Sequence, residues 1–541
     1  MSTLDGQKAE EATRIAPRSI AETVGVERRG AAAVFTRNSI LSVSRLFAAS
    51  AIALILPGYL THRLSVQTYA AWVLILQVSA YVSYLDFGVQ AGISKYVSEY
   101  IARNDSEGAS KRASAGLALM LIASMLGVVL TLIVVWQVPQ LFHEMPATLY
   151  RDVRSSILLV GISLSFGLLC SIFSSIFYGL QRYAVPTILS LINRVLFAAV
   201  VLAAAALHQS LVVMGALVAI VNVLTGALQF EAWRRMAHSV QLSLRGLDLE
   251  IVWKMVSYCS SLAIWTAGML CVSGLDVTIV GKYDFGQTAF YSIATLPTNF
   301  MIAIIGAALA PLMPTASALS VHRSPVQMGK LLSRVTRYAS ILLFTSGLPL
   351  LVAGYWVLRI WVGPTYAISA IGYLRILVLA NILRNACLPY STMLIATNSQ
   401  RIAIAGVVAE AIVNVTCSIY LVRQLGAIGV AYGTLIGSFV GVGMHFVLNM
   451  HYTRVKLAIS QVRLFFEGLV RPSAIAIPSL LLVPYWWTFA APKFGPQLWL
   501  PWGLCTLLLA WFVGFNPEER LSLLRLAKRR LNLLTNINQP D

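Results

Sequence analysis

Apolar runs of about 20 residues, parted by short polar connections, recur from residue 39 to residue 515. A helix needs about that length to cross the hydrocarbon core of a bilayer. The runs lie near 39–60, 67–91, 115–137, 155–178, 185–207 and 211–233, and again near 257–280, 287–312, 335–357, 370–396, 402–423 and 428–450. Two more, 471–489 and 498–515, precede a basic tail, with Pro472, Pro478 and Pro484 interrupting the first. The pattern predicts an all-α polytopic membrane protein of about 14 spans. Six spans on either side of 236–256 imply two six-helix lobes, 37–235 and 257–450, followed by two added helices in 451–515. A weak repeat agrees: THRLSVQTYAAW (61–72) and GKYDFGQTAFYS (281–292) both place Gln-Thr before an aromatic-rich helix start. Because six is even, the lobes repeat in parallel rather than inverted.

Composition fits this reading. The chain is 58% hydrophobic and 11% charged, whereas soluble domains carry about 25% charged residues. The net charge of +19 raises the question of nucleic acid, and its distribution answers it. With the N-terminus in the cytoplasm, the inner segments hold 28 Lys and Arg and the outer ones 7. That is the positive-inside bias, and it places both termini in the cytoplasm with no nucleic-acid partner. Residues 1–36 read as a disordered tail without a signal peptide, and 516–541 as a basic cytoplasmic tail. Six cysteines sit in apolar runs without CxxC spacing, and seven histidines show no metal spacing. They read as packing residues, with no metal or cofactor expected.

The stretch Ser83–Asp105, SYLDFGVQAGISKYVSEYIARND, departs from the plain span pattern. Ile93, Tyr96, Val97, Tyr100 and Ile101 fall on one helical stripe, with Lys95, Ser98, Glu99 and Arg103 opposite. The pattern predicts a short helix on the membrane surface, ended by Asn104, with Asp105 or Ser106 capping the next helix. Charges inside spans are the other signal, since an Arg or Asp at a helix centre costs about 2.5–3.5 kcal/mol on insertion scales. Arg45, Arg194, Asp276 and Glu410 are such residues. The tenth span carries Arg375 and then Asn381, Arg384 and Asn385 on one face, and Glu410 pairs with Asn414 at i, i+4. Arg384 and Glu410 could bridge helices. Arg45, Arg194 and Arg384 together would give a cavity surplus positive charge, suited to an anionic cargo such as a phosphate or acidic sugar. Gly429, Gly433, Gly437 and Gly441 form a glycine face for close helix approach.

The run Leu85-Asp86-Phe87-Gly88, followed by Tyr96 to Tyr100 with Glu99, resembles the polysaccharide and O-antigen flippases of the multidrug/oligosaccharidyl-lipid/polysaccharide exporter superfamily. Gly179-Leu180-Gln181-Arg182, Asp276 and Asn414 match as well, and the resemblance extends over most of 37–450. It implies a bacterial inner-membrane flippase, not an enzyme, moving a polyprenyl-pyrophosphate-linked oligosaccharide by alternating access between two lobes. Membrane lipids, a polysaccharide polymerase and chain-length proteins would be its partners, with a proton or cation for coupling. The two added spans leave open a relationship to the fourteen-span peptidoglycan-precursor flippases. A drug/cation antiporter shares the superfamily fold, but it would place carboxylates rather than arginines in the N-lobe. A polymerase or ligase would present a large outer loop, whereas the longest outer connection is 138–154. A glycosyltransferase would want a DxD site, and none occurs.

Overall fold

Ser65 and Asp105 show how the connections set helix starts. Ser65 Oγ accepts the Thr68 N–H at 3.1 Å, and Asp105 Oδ1 accepts that of Gly108 at 2.7 Å. Each satisfies a donor that a first helical turn leaves free. The computed structural model describes residues 52–245, 247–321, 324–397, 399–452, 460–483, 499–521 and 524–525. Helices run in the order α1 (52–63), α2 (Val66–Ala80), α3 (Val89–Ala102), α4 (Ser106–Leu141), α5 (Ala147–Gly179), α6 (Ala184–Ala206) and α7 (Leu211–Met236). There follow α8 (Leu249–Met269), α9 (Asp276–Tyr283), α10 (Thr288–Leu309), α11 (Leu312–Val321), α12 (Pro325–Val352) and α13 (Gly354–Val362). The rest are α14 (Pro364–Asn385), α15 (Leu388–Ala396), α16 (Gln400–Leu425), α17 (Ile428–Gly443), α18 (Gln461–Leu481) and α19 (Leu500–Gly514).

Among the described residues there is no strand. Eleven helices among the described residues are long and apolar enough to cross a membrane; the bent pair Leu249–Ser260 and Leu262–Gly274 makes a twelfth, and α19 is shorter. The fold is that of an all-α polytopic membrane protein, and every predicted span meets a helix, the first through α1 alone. Residues 1–51, with Arg45, lie outside the described residues, as do 484–498 and most of the basic tail. Helices α2–α7 pack on one another, and α9–α17 pack on one another. A shared core joins the two groups: Tyr69 meets Tyr366 edge-on at 6.1 Å, and Trp361 Nε1 donates to Leu54 O at 2.7 Å.

Two departures from the hydrophobic pattern are physical. The 36 residues of α4 span about 54 Å at 1.5 Å per residue, well beyond the ~30 Å core, because polar helix ends continue past the apolar run. Helix α3, for its part, has its apolar stripe covered by protein rather than left for lipid. Its course follows α2 through a 3₁₀ turn, Tyr81–Asp86, within one 37-residue helical stretch. Its stripe faces protein: Ile93 and Val97 are fully buried, and a Cβ on Gly179 would stand 2.7 Å from Val97 Cβ. An amphipathic stripe is compatible with either a lipid or a protein partner, and here α4, α5 and α8 supply it.

The glycine face of α17 lies against α16. A Cβ at Gly433 would stand 2.6 Å from the Ser418 backbone N, and one at Gly437 2.8 Å from Asn414 Cβ. Without hydrophobic drive between helices in lipid, such close backbone contact supplies the packing energy. Gly433→Ala forces backbone apart and is expected to destabilise by about 1–3 kcal/mol. Gly443, with open space around its would-be Cβ, should accept alanine without loss. Thermal unfolding of the purified variants checks this; a Gly433→Ala midpoint equal to wild type would contradict the contact.

Candidate functional site

The Asp86-Phe87-Gly88 run is a junction. Phe87 (φ 47°) and Gly88 (φ 81°) both adopt left-handed backbone, which ends the 3₁₀ turn before α3 begins. Gly88 is required twice over: its φ favours glycine, and a Cβ would stand 2.7 Å from Leu262 Cβ on α8. Asp86 Oδ1 accepts the Gln90 N–H at 3.1 Å, fixing the first turn of α3. The next turns are held by rings and cations. Tyr96 meets Tyr258 at 5.9 Å, Lys95 Nζ lies 4.1 Å from the Tyr258 ring centroid, and Arg112 lies over Tyr100 at 3.5 Å. Glu99 pairs with Arg103 at 2.6 Å. The motif therefore fastens α3 to the first helix of the second half.

This junction places Ser83 and Gln90 at the edge of a cavity of about 250 Å³ between α5, α6 and α7. Helix α7 contributes Asn222, Thr225 and Gln229, spaced i, i+3 and i+7 on one face; α6 contributes Ser190 and Asn193, and α5 Ser171. Asn193 Nδ2 donates to Thr225 Oγ1 at 2.9 Å, and Asn222 Nδ2 to Ser163 Oγ at 3.0 Å. Gln229 Oε1 has no hydrogen-bond partner among the described residues. Among the described residues no charged side chain lines the cavity. Such amides and hydroxyls offer donors and acceptors together, at no cost of buried charge. A search for charges missed them; the i, i+3, i+7 polar spacing in an apolar helix was the available signal.

A second polar site lies among α9, α10, α14, α16 and α17. After the α8 helix a π turn, Leu270–Gly274, leaves carbonyls free of the helical pattern. Gly274 O accepts from Gln77 Nε2 at 2.7 Å and from Tyr81 OH at 3.0 Å, while Val272 O accepts from Asn414 Nδ2 at 2.9 Å. Asp276 begins α9 there, buried, its Oδ2 accepting from Thr434 Oγ1 at 3.0 Å and Tyr291 OH at 3.4 Å. Arg384 Nε donates to Glu410 Oε1 at 2.5 Å, with both side chains largely buried. Asn381 and Asn385 sit beside it on α14, their amides donating to Leu377 O and Asn381 O. Pro389, in the first turn of α15, accounts for the break after Asn385. Asp276 Oδ1, Asn381 Oδ1 and one Arg384 nitrogen have no hydrogen-bond partner among the described residues.

The structure thus brings together Asp276, Asn381, Arg384, Asn385, Glu410 and Asn414. It leaves Arg194 apart, exposed on α6 between Ile192 and Val195 and outside the lining of the amide cavity. The site holds two carboxylates and one guanidinium; Arg45, on which the expected surplus of positive charge also drew, lies outside the described residues. Arg384 is engaged by Glu410 rather than free. Arg375 is buried on α14 with its Nε donating to Leu351 O at 3.3 Å, away from the cluster. Among the described residues no group of three His, Cys, Asp or Glu is placed to hold a metal.

Breaking a buried pair strands its partner. Glu410→Ala is expected to cost about 3–5 kcal/mol, and Arg384→Ala/Glu410→Ala to recover most of that loss. Thermal unfolding decides; a double variant no more stable than Glu410→Ala would contradict the pairing.

No protein-family model matches the sequence, and no curated relative aligns with it. Solved structures do. A lipid II flippase, MurJ, in an inward closed conformation superposes with a TM-score of 0.66 at 12% identity, covering 88% of this chain and 98% of its own. An inward-facing multidrug resistance MATE family transporter of the MOP superfamily gives 0.59 at 17% identity, covering 76% and 97%. A MOP superfamily transporter from Pyrococcus furiosus, described as having a binding pocket of reverse polarity, gives 0.56 at 17% identity, covering 77% and 95%. The chain has the fold of these MOP superfamily transporters.

Proposed function

We propose that the protein is a flippase that carries a polyprenyl-pyrophosphate-linked oligosaccharide across the bacterial inner membrane by alternating access between its two helical groups. The observation that carries this reading is the uncharged cavity lined by Asn193, Asn222, Thr225 and Gln229. Neutral hydrogen-bonding groups that bind a polyhydroxylated head group suit a sugar; a cation exporter would need carboxylates there, and none is among the described lining residues. The Asp276–Arg384–Glu410 site carries one more negative than positive charge. A proton or monovalent cation bound there would neutralise it, and its entry and exit would couple to movement. Exchange of that ion would bias whichever state packs α9 against α16 and α17. The fold shared with a lipid II flippase and with a multidrug transporter supports a transport role. The motif at Asp86–Gly88 favours the polysaccharide branch.

A second reading, a peptidoglycan-precursor flippase, is favoured by coverage: the lipid II flippase spans 88% of this chain where the exporter spans 76%. The difference is comparable in length with 451–515. Deletion of the gene separates the readings. We expect viable cells with lipid-linked oligosaccharide held on the cytoplasmic leaflet and surface polysaccharide reduced at least tenfold, about the effect of 1.4 kcal/mol or more on a limiting step. Lysis with accumulated peptidoglycan precursor would establish the second reading. Normal polysaccharide with sensitivity to cationic dyes would overturn both.

A further inference from the structure

A second cavity, of about 460 Å³, lies away from both polar sites, where α12 meets the added helices α18 and α19. Lys330, Arg334 and Arg337 recur at i, i+4 and i+7 along α12 and share one face. Arg463 on α18 adds a fourth cation, and Glu467, Glu518 and Glu519 stand opposite.

Two of the three acids are already engaged. Glu519 pairs with the buried Arg337, lies 3.7 Å from Arg334 and accepts the Asn516 N–H at 2.9 Å. Glu467 accepts from Arg463 Nε at 2.7 Å and Ser333 Oγ at 3.2 Å. What remains unsatisfied is mainly donors. Lys330 and the outer nitrogens of Arg334 and Arg463 are exposed. Arg337, whose side chain is 5% exposed, keeps an Nε with no hydrogen-bond partner among the described residues. A buried charged donor left unpaired is costly, so the arrangement favours an acceptor-only ligand.

The depth and the surroundings name the ligand's source. At 28 residues, α12 runs about 42 Å, so its first turns project beyond the ~30 Å hydrocarbon core into the headgroup layer. This is the side that the positive-inside count assigns to the cytoplasm. Phe466 and Val470, exposed on α18 at i+3 and i+7 from Arg463 and so further from its cytoplasmic end, offer a surface to acyl chains, for which a free phosphate has no use. We propose that this cavity binds the phosphate headgroup of an anionic phospholipid, which ties α18 and α19 to α12. A free phosphate ion presents the same oxyanion and is the source to be distinguished.

The test uses the full chain in detergent and native mass spectrometry with added phosphatidylglycerol or phosphatidylcholine. Wild type is expected to retain the anionic lipid about tenfold better. Lys330→Gln/Arg334→Gln, which leaves Arg337 and Glu519 intact, should bring the two lipids to near parity with an unchanged unfolding midpoint in the absence of lipid. If the double variant fails to fold, Lys330→Gln alone, at an exposed position, should still reduce the preference several-fold. Equal retention of both lipids by wild type would overturn the proposal, as would a preference that survives the substitutions. Stabilisation by inorganic phosphate without a lipid preference would overturn the lipid assignment in favour of the free ion.

Discussion

In a bilayer no water is at hand to satisfy a freed carbonyl, and the break at Leu270–Gly274 is where this chain meets that constraint. Gln77 and Tyr81 from one helical group, and Asn414 from the other, bond the carbonyls of Gly274 and Val272. Those bonds set the geometry of both polar sites. On one side they hold the start of α9, so that Asp276 reaches Thr434 and Tyr291. On the other they anchor Tyr81 at the head of the 3₁₀ turn that leads through Asp86 to Gln90. Beside the shared apolar core, these exchangeable side-chain hydrogen bonds join the two groups of helices, which suits surfaces that must part and re-form.

The polar sites divide their chemistry. Among the described residues the cavity of α5, α6 and α7 is lined by amides and hydroxyls, while the site among α9, α14, α16 and α17 holds two carboxylates and one guanidinium. A neutral site can bind and release a sugar without paying for a stranded charge. A charged site with an unbalanced carboxylate responds to a proton or cation. They lie in different helical groups, so under the proposed function the cargo and the driving ion would have separate sites. The close contact of α16 with the glycines of α17 supports the second, since Glu410 and Asn414 stand on the same face of α16 that those glycines meet.

Much of the fold was legible because hydrophobic length maps directly onto membrane crossings, and the runs correspond to helices wherever their residues are described. The cap at Asp105 and the glycine face were legible for equally local reasons. What the sequence left undecided was partnership. The stripe of α3 could have faced lipid as well as α4, α5 and α8. Arg384 could have been free or paired, and only spatial proximity to Glu410 distinguishes these. Arg194 has the same composition-level signature as Arg384, yet it lies on an exposed face. The amide cavity was missed because uncharged polar residues cost little in a span, and a count of charges passes over them; their spacing on α7 was visible but unsought.

The central claim is that this chain moves a lipid-linked sugar between leaflets. Reconstitution tests it most directly: purified protein in vesicles with a polyprenyl-pyrophosphate-linked, fluorescently tagged N-acetylhexosamine, and a membrane-impermeant quencher outside. The account predicts that the quenchable fraction rises with time beyond that of protein-free vesicles when an ion gradient is imposed. A fraction that stays at the protein-free level, while the same vesicles transport a cationic dye, would contradict it.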